Sequence, residues 1–141
     1  MNYLVLLNEQ AGELEKILSG TKRMLVKELD PARPAGQLVS PGDSLYFLRN
    51  KHECALRVKA TVVRVLLFTN QIDENLIHTL KELQPKLQLT EDQYYCWSAK
   101  KQVLLVEFDS AHKIGVIQVA LDKLINQSDW TAFEEFSLIT E

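Results

Sequence analysis

Between residues 56 and 63 apolar and polar positions alternate, with Leu56, Val58, Ala60 and Val62 set against Arg57, Lys59 and Thr61. A period of two marks a strand with one buried and one wet face, so Val58, Ala60 and Val62 are predicted to point inward and Arg57 and Lys59 to solvent. Past Val63 the inward set shifts to Val65 and Leu67 with Arg64 outside. That slip predicts a bulge near Val62 and Val63, a device that bends a long strand in a small barrel. Ser40-Pro41-Gly42-Asp43 reads as a turn launching a strand over 44–49, which pairs with the next as a hairpin across the polar link 50–53.

The remaining elements follow from the same patterning. Residues 2–7 are strand-like, and Asn8 is placed to cap a helix that brings Leu14, Ile17 and Leu18 onto one face before Ser19-Gly20 stops it. Met24, Leu25 and Val26 predict a second strand, and two prolines with a glycine make 30–36 a loop. Leu76, Ile77, Leu80 and Leu83 predict a surface helix over 73–84 that Pro85 ends. Thr90 followed by Glu91-Asp92-Gln93 resembles a helix start with acids against the N-terminal dipole. Residues 103–108 and 114–119 suggest a closing hairpin over 109–113, while 120–125 suits strand or helix equally. Trp130, Phe133 and Phe136, spaced by three, suit one helical turn docked on the body. No internal repeat, linker or low-complexity tract interrupts the chain, so 1–141 is read as a single domain.

Composition narrows the classes. At 141 residues with 46% hydrophobic content the chain can bury about two-thirds of its unfolded surface, so no metal or disulfide staple is required. Its apolar runs fall well short of the roughly 18 residues of a membrane span, and no basic residue precedes the first run as it would in a signal peptide. Cys54 and Cys96 are expected reduced, and the protein is expected in the cytoplasm, away from membranes. The net charge of −3 argues against indiscriminate polyanion binding. Its distribution is asymmetric: residues 16–64 hold ten basic and four acidic side chains, a balance of +6, whereas 71–141 carry −6. Such a block marks either an electropositive face for an anionic partner or a solvated strand surface.

Glycine-rich phosphate loops, nucleophile elbows and zinc-protease motifs are all missing. His52 and Cys54 have no second close ligand pair among His78, Cys96 and His112, so no metal or other cofactor is expected. A more specific signal lies in the order of three segments. Ile17-Leu18-Ser19-Gly20-Thr21-Lys22-Arg23 is followed by Ser40-Pro41-Gly42-Asp43-Ser44-Leu45-Tyr46-Phe47 and then by Ala60-Thr61-Val62-Val63-Arg64-Val65. This order resembles the ASCH domain of the PUA-like superfamily, over about residues 13–68 and more loosely after Val103.

The resemblance implies an α+β fold, a small mostly antiparallel β-barrel with flanking short helices, and a cleft beside the Gly-x-Lys segment suited to RNA or a nucleotide-like ligand. Lys22 matches the family's lysine. Members similar to acetylcytidine amidohydrolases also use a threonine three residues later and a later glutamate, but Leu25 stands at the threonine's place. Thr21 and Glu28 are out of register, so no catalytic residue is carried over, and the enzyme reading is the weaker one.

From their chemistry, Lys22, Arg23 and Lys27 can donate charge-assisted hydrogen bonds to phosphate from a common cleft wall, and Arg49, Lys51, Arg57 and Lys59 can widen the patch. Both Lys22 and Lys27 are expected at the surface. Tyr46, Tyr94 or Trp97 can stack an unpaired base, or Tyr46 and Trp97 can fill the core. The expected function is RNA or nucleotide-ligand binding through a basic cleft. A small amidohydrolase acting on a modified nucleoside such as acetylcytidine, and a protein-interaction module, are the alternatives.

Overall fold

A computed structural model describes residues 1–28, 39–49, 55–68, 74–100, 102–120, 130–134 and 136. Its elements run β1 (Asn2–Leu6), α1 (Glu13–Leu18), β2 (Met24–Glu28), β3 (Ser44–Leu48), β4 (Ala55–Phe68), α2 (Glu74–Glu82), α3 (Gln84–Leu87), α4 (Glu91–Ser98), β5 (Val103–Gln118) and β6 (Trp130–Phe133). The six strands form one sheet in the order β2-β5-β4-β3-β1-β6, antiparallel except for the parallel β1–β3 pair. The sheet curls into a half-barrel flanked by short helices, the α+β architecture expected. The expected loop over 30–36, the link over 50–53 and the stretch 121–125 lie outside the described residues, as do Lys51, His52 and Cys54.

Alternation decides what each face buries. Val58, Ala60 and Val62 join Val5, Leu25, Leu45, Phe47, Leu104, Val106 and Phe108 in the concave core, which α1 plugs with Leu14 and Ile17. On the convex face Met24, Val26, Val103 and Leu105 pack under Leu76, Leu80, Leu87 and Leu89 of the helical segment. A third cluster behind β1 and β3 gathers Leu4, Tyr46, Leu48, Leu56 and Phe133. As the pattern predicts, Arg57 is exposed and Lys59 half-exposed. The β4–β5 register shifts between Val62 and Arg64, at the predicted bulge, and at two further places. Bulges add twist, which lets one long strand serve both the concave and the third cluster.

Several elements differ from the patterning. Residues 103–118 form one continuous strand instead of a hairpin, because Ser110 adopts φ 57° and absorbs the polar interruption as a bulge against β4. Trp130 and Phe133 lie on β6, antiparallel to β1, because pairing with a buried strand outweighs a three-residue spacing that spans one helical turn at most. Asn8 caps a turn ahead of the helix: its Oδ1 accepts from Gln10 and Ala11 N–H at 3.0 and 3.3 Å, and α1 starts only after Gly12. Leu18 is 36% exposed, outside the buried face formed by Leu14 and Ile17. Pro85 follows the end of α2 and opens α3, where a missing N–H costs nothing. Thr90 caps α4 as expected, with a reciprocal pair of bonds to Gln93 at 3.2 and 3.1 Å. No described helix is long and apolar enough to cross a membrane.

Candidate functional site

The Gly-x-Lys segment leaves α1 through a left-handed Gly20 at φ 83°. Gly20 N–H donates to Ile17 O at 3.1 Å and Thr21 N–H to Lys16 O at 3.1 Å, the paired bonds of a Schellman stop. Lys22 N–H shares the Lys16 carbonyl at 3.0 Å, so the chain doubles back tightly beneath α1 before β2 begins.

That geometry drives the Lys22 side chain inward. Lys22 is 1% exposed, against the expectation that it lies at the surface. Its Nζ donates to the Leu87 carbonyl of α3 and stands 3.4 Å from Glu13 Oε2. Glu13 is itself buried, and its Oε1 accepts from Asn8 N–H at 2.6 Å. The ammonium thus ties three segments together: the turn after β1, α1, and the end of α3. Burial lowers the lysine's pKa from its ordinary value, with the Glu13 charge opposing and Lys16 adding to the shift. Glu13 was missed from sequence, yet a signal existed, since it sits one turn before Ile17 on the apolar face of α1, where an acid needs a buried partner.

The residue after Lys22 behaves differently. Arg23 is exposed, while its N–H donates to Lys86 O at 2.8 Å and its carbonyl accepts from Phe108 N–H at 2.9 Å. Alternation places Arg23, Leu25 and Lys27 on the concave side of β2. Lys27 is half-buried, with Nζ 5.9 Å from the centroid of Trp130 on β6, so the two outermost strands approach each other across the opening. On the convex side Glu107 receives Arg64 Nε at 2.8 Å and Lys86 Nζ at 2.9 Å. Burial works against ionisation of Glu107, but the Lys86 hydrogen bond and the Arg64 and Lys86 charges outweigh it and hold the carboxyl below its ordinary pKa. Lys16 Nζ donates to Gln88 O at 3.2 Å, just past the end of α3.

The other residues expected in the patch are dispersed. Arg49, half-buried, pairs with Glu15 of α1 at 3.5 Å. Arg57 is exposed on β4, and Lys59 lies over the Tyr46 ring at 5.7 Å on the third-cluster side. Tyr46 is 7% exposed and packs on Phe133 and Phe136 with centroids 5.8 and 5.1 Å apart, so its ring is core and offers no stacking face. Trp97 is half-buried against the convex cluster. Leu25 belongs to the concave core at 5% exposure, so an apolar packing position occupies the family threonine's place. Among the described residues no group of three metal-ligating side chains converges, and Cys96 is an exposed free thiol.

Neither a protein-family model nor a curated protein sequence matches the chain. The structure is similar to that of the ASCH protein from Zymomonas mobilis, with a TM-score of 0.67 and 12% identity over 95% of this chain and 88% of that one. Two single-substitution mutants of the same protein give 0.67 at 13% and 14% identity, each over 95% of this chain. The fold is therefore ASCH-like.

Proposed function

We propose that this ASCH-fold domain binds RNA or a nucleotide-like ligand, with Arg23 and Lys27 taking the anionic backbone at the β2 rim. The observation that carries the reading is the setting of Arg23: an exposed guanidinium on a peptide unit held from both sides by Lys86 O and Phe108 N–H. The backbone origin of that side chain is fixed, so the guanidinium reaches a phosphate from a defined point at the head of β2. Arg23 and Lys27 stand about 13 Å apart along the strand, a span that reaches two phosphates of one extended strand. Lys22 acts as a positioning residue, holding α3 and α1 against the segment that carries Arg23.

One observation favours the amidohydrolase alternative: Lys22 has a lowered pKa and a carboxylate at 3.4 Å. Against it, that amine is 1% exposed and the threonine's place is a core leucine. The two readings separate in paired assays. Short single-stranded RNA is expected to bind at low salt and to bind more weakly to Arg23→Ala, while acetylcytidine incubated with the protein is expected to stay intact. Release of acetate that Lys22→Met abolishes would reverse the choice.

A further inference from the structure

Between the end of α2, α3 and the start of α4 lies an open groove of about 440 Å³. Its floor is Leu89, and one wall is made by Tyr94 and Tyr95, whose rings meet edge-on with centroids 6.0 Å apart. Tyr94 is held in place, half-buried against the convex cluster with its hydroxyl 3.5 Å from Ile77 O. Tyr95 is not: it is 64% exposed, the most exposed aromatic among the large hydrophobic side chains described.

The polar groups of the groove divide the same way. Gln84 is spent on Leu89, donating to its carbonyl at 2.8 Å and accepting from its N–H at 3.3 Å, and Thr90 is spent on the α4 cap. Lys81 and Glu91 line the groove with opposite charges that cancel locally. The groups left over are therefore the Tyr95 ring with its hydroxyl, the Lys81 donor and the Glu91 acceptor, with no net charge. A phosphate gains nothing there. A flat heteroaromatic ring with carbonyl and imino or amino groups on its edge matches all three.

We infer that this groove takes one unpaired base of a single strand whose backbone lies on the Arg23 ledge, with Tyr95 as the stacking face and Lys81 and Glu91 reading the base edge. The inference rests on the proposed RNA reading and deepens it. Continuity supports it: Gln84 of the groove and Lys86, whose carbonyl anchors Arg23, belong to the same four-residue helix. The Tyr95 contribution is salt-independent, because stacking releases no counterion, unlike the phosphate contacts of Arg23 and Lys27.

The test compares a six-nucleotide oligouridylate with an abasic strand of the same length by fluorescence anisotropy, using the full chain. The intact protein is expected to bind the oligouridylate about five- to 150-fold more tightly than the abasic strand. Tyr95→Ala is expected to remove that preference while leaving abasic binding and the salt dependence unchanged. A preference that survives in Tyr95→Ala, or no preference in the intact protein, overturns the inference. Failure of both strands to bind at low salt overturns the RNA reading instead. The groove is then judged alone, by titrating millimolar uridine against the Tyr95 ring protons in NMR spectra, where an absence of shifts overturns it as a base site and shifts support it.

Discussion

Lys22 and Glu13 show what one buried ion pair does in a small domain. Removing either partner alone strands the other's charge away from water, at a cost of about 3–5 kcal/mol, whereas replacing both by apolar chains of similar volume costs much less. Glu13→Leu and Lys22→Met are therefore each expected to lower the urea midpoint strongly and the double variant to lose clearly less than their sum, whereas additive losses would mean that the pair is not coupled. The lowered lysine pKa also fixes a sign. Between that folded value and the ordinary 10.5, the unfolded chain holds more protons, so stability rises with pH across the window. The gap in stability between the intact protein and Lys22→Met is expected to shift in favour of the intact protein as pH rises towards 10.5, in denaturant melts at successive pH values. Glu107 carries the same sign in a lower window: its folded pKa lies below the unfolded one, so its contribution is present above the ordinary carboxylate range and is lost as pH falls. Glu107→Gln is expected to flatten the acid side of the stability profile.

Two elements owe their ends to local chemistry that can be measured one residue at a time. Gly20 holds φ 83°, and an added Cβ would meet nothing within 4 Å, so Gly20→Ala carries only the left-handed backbone penalty of about 1–2 kcal/mol. Thr90→Ala removes the α4 cap at about 1 kcal/mol. Thermal melts check both, and a loss well above these values at Gly20 would mean that the turn does more than reverse the chain. These same elements were legible in the sequence because their determinants lie within four residues: Gly20 after Leu18, Thr90 before Gln93, the alternation of β4. The strand over Trp130 and Phe133 was not legible, because its partner is β1, more than a hundred residues away. The Asp109–Lys113 interruption carried turn-forming residues, and only the facing β4 strand decides that it is a bulge. The burial of Lys22 was hidden for the same reason, since its acceptor Leu87 lies 65 residues downstream.

At the scale of the whole molecule, the half-barrel separates the charges that the sequence placed in one block. Lys22 is consumed inside, Lys59 turns to the third cluster, and Arg23 and Lys27 remain together on the concave rim near β6. The expected common wall of Lys22, Arg23 and Lys27 thus reduces to its last two members. The structure bears out the resemblance to the ASCH fold, but fold alone leaves the ligand to the side chains. Because the chain carries a net charge of −3, a short single strand is a more fitting probe of this rim than a long duplex. The decisive measurement is fluorescence anisotropy of such an RNA across a salt series, for the intact protein and for Arg23→Ala combined with Lys27→Ala. Each phosphate contact contributes a slope of about −0.7 in log affinity against log salt, so the double variant is predicted to flatten the slope by about 1.4 with its fold unchanged. An RNA that fails to bind at low salt, or a slope identical in both proteins, would contradict the account.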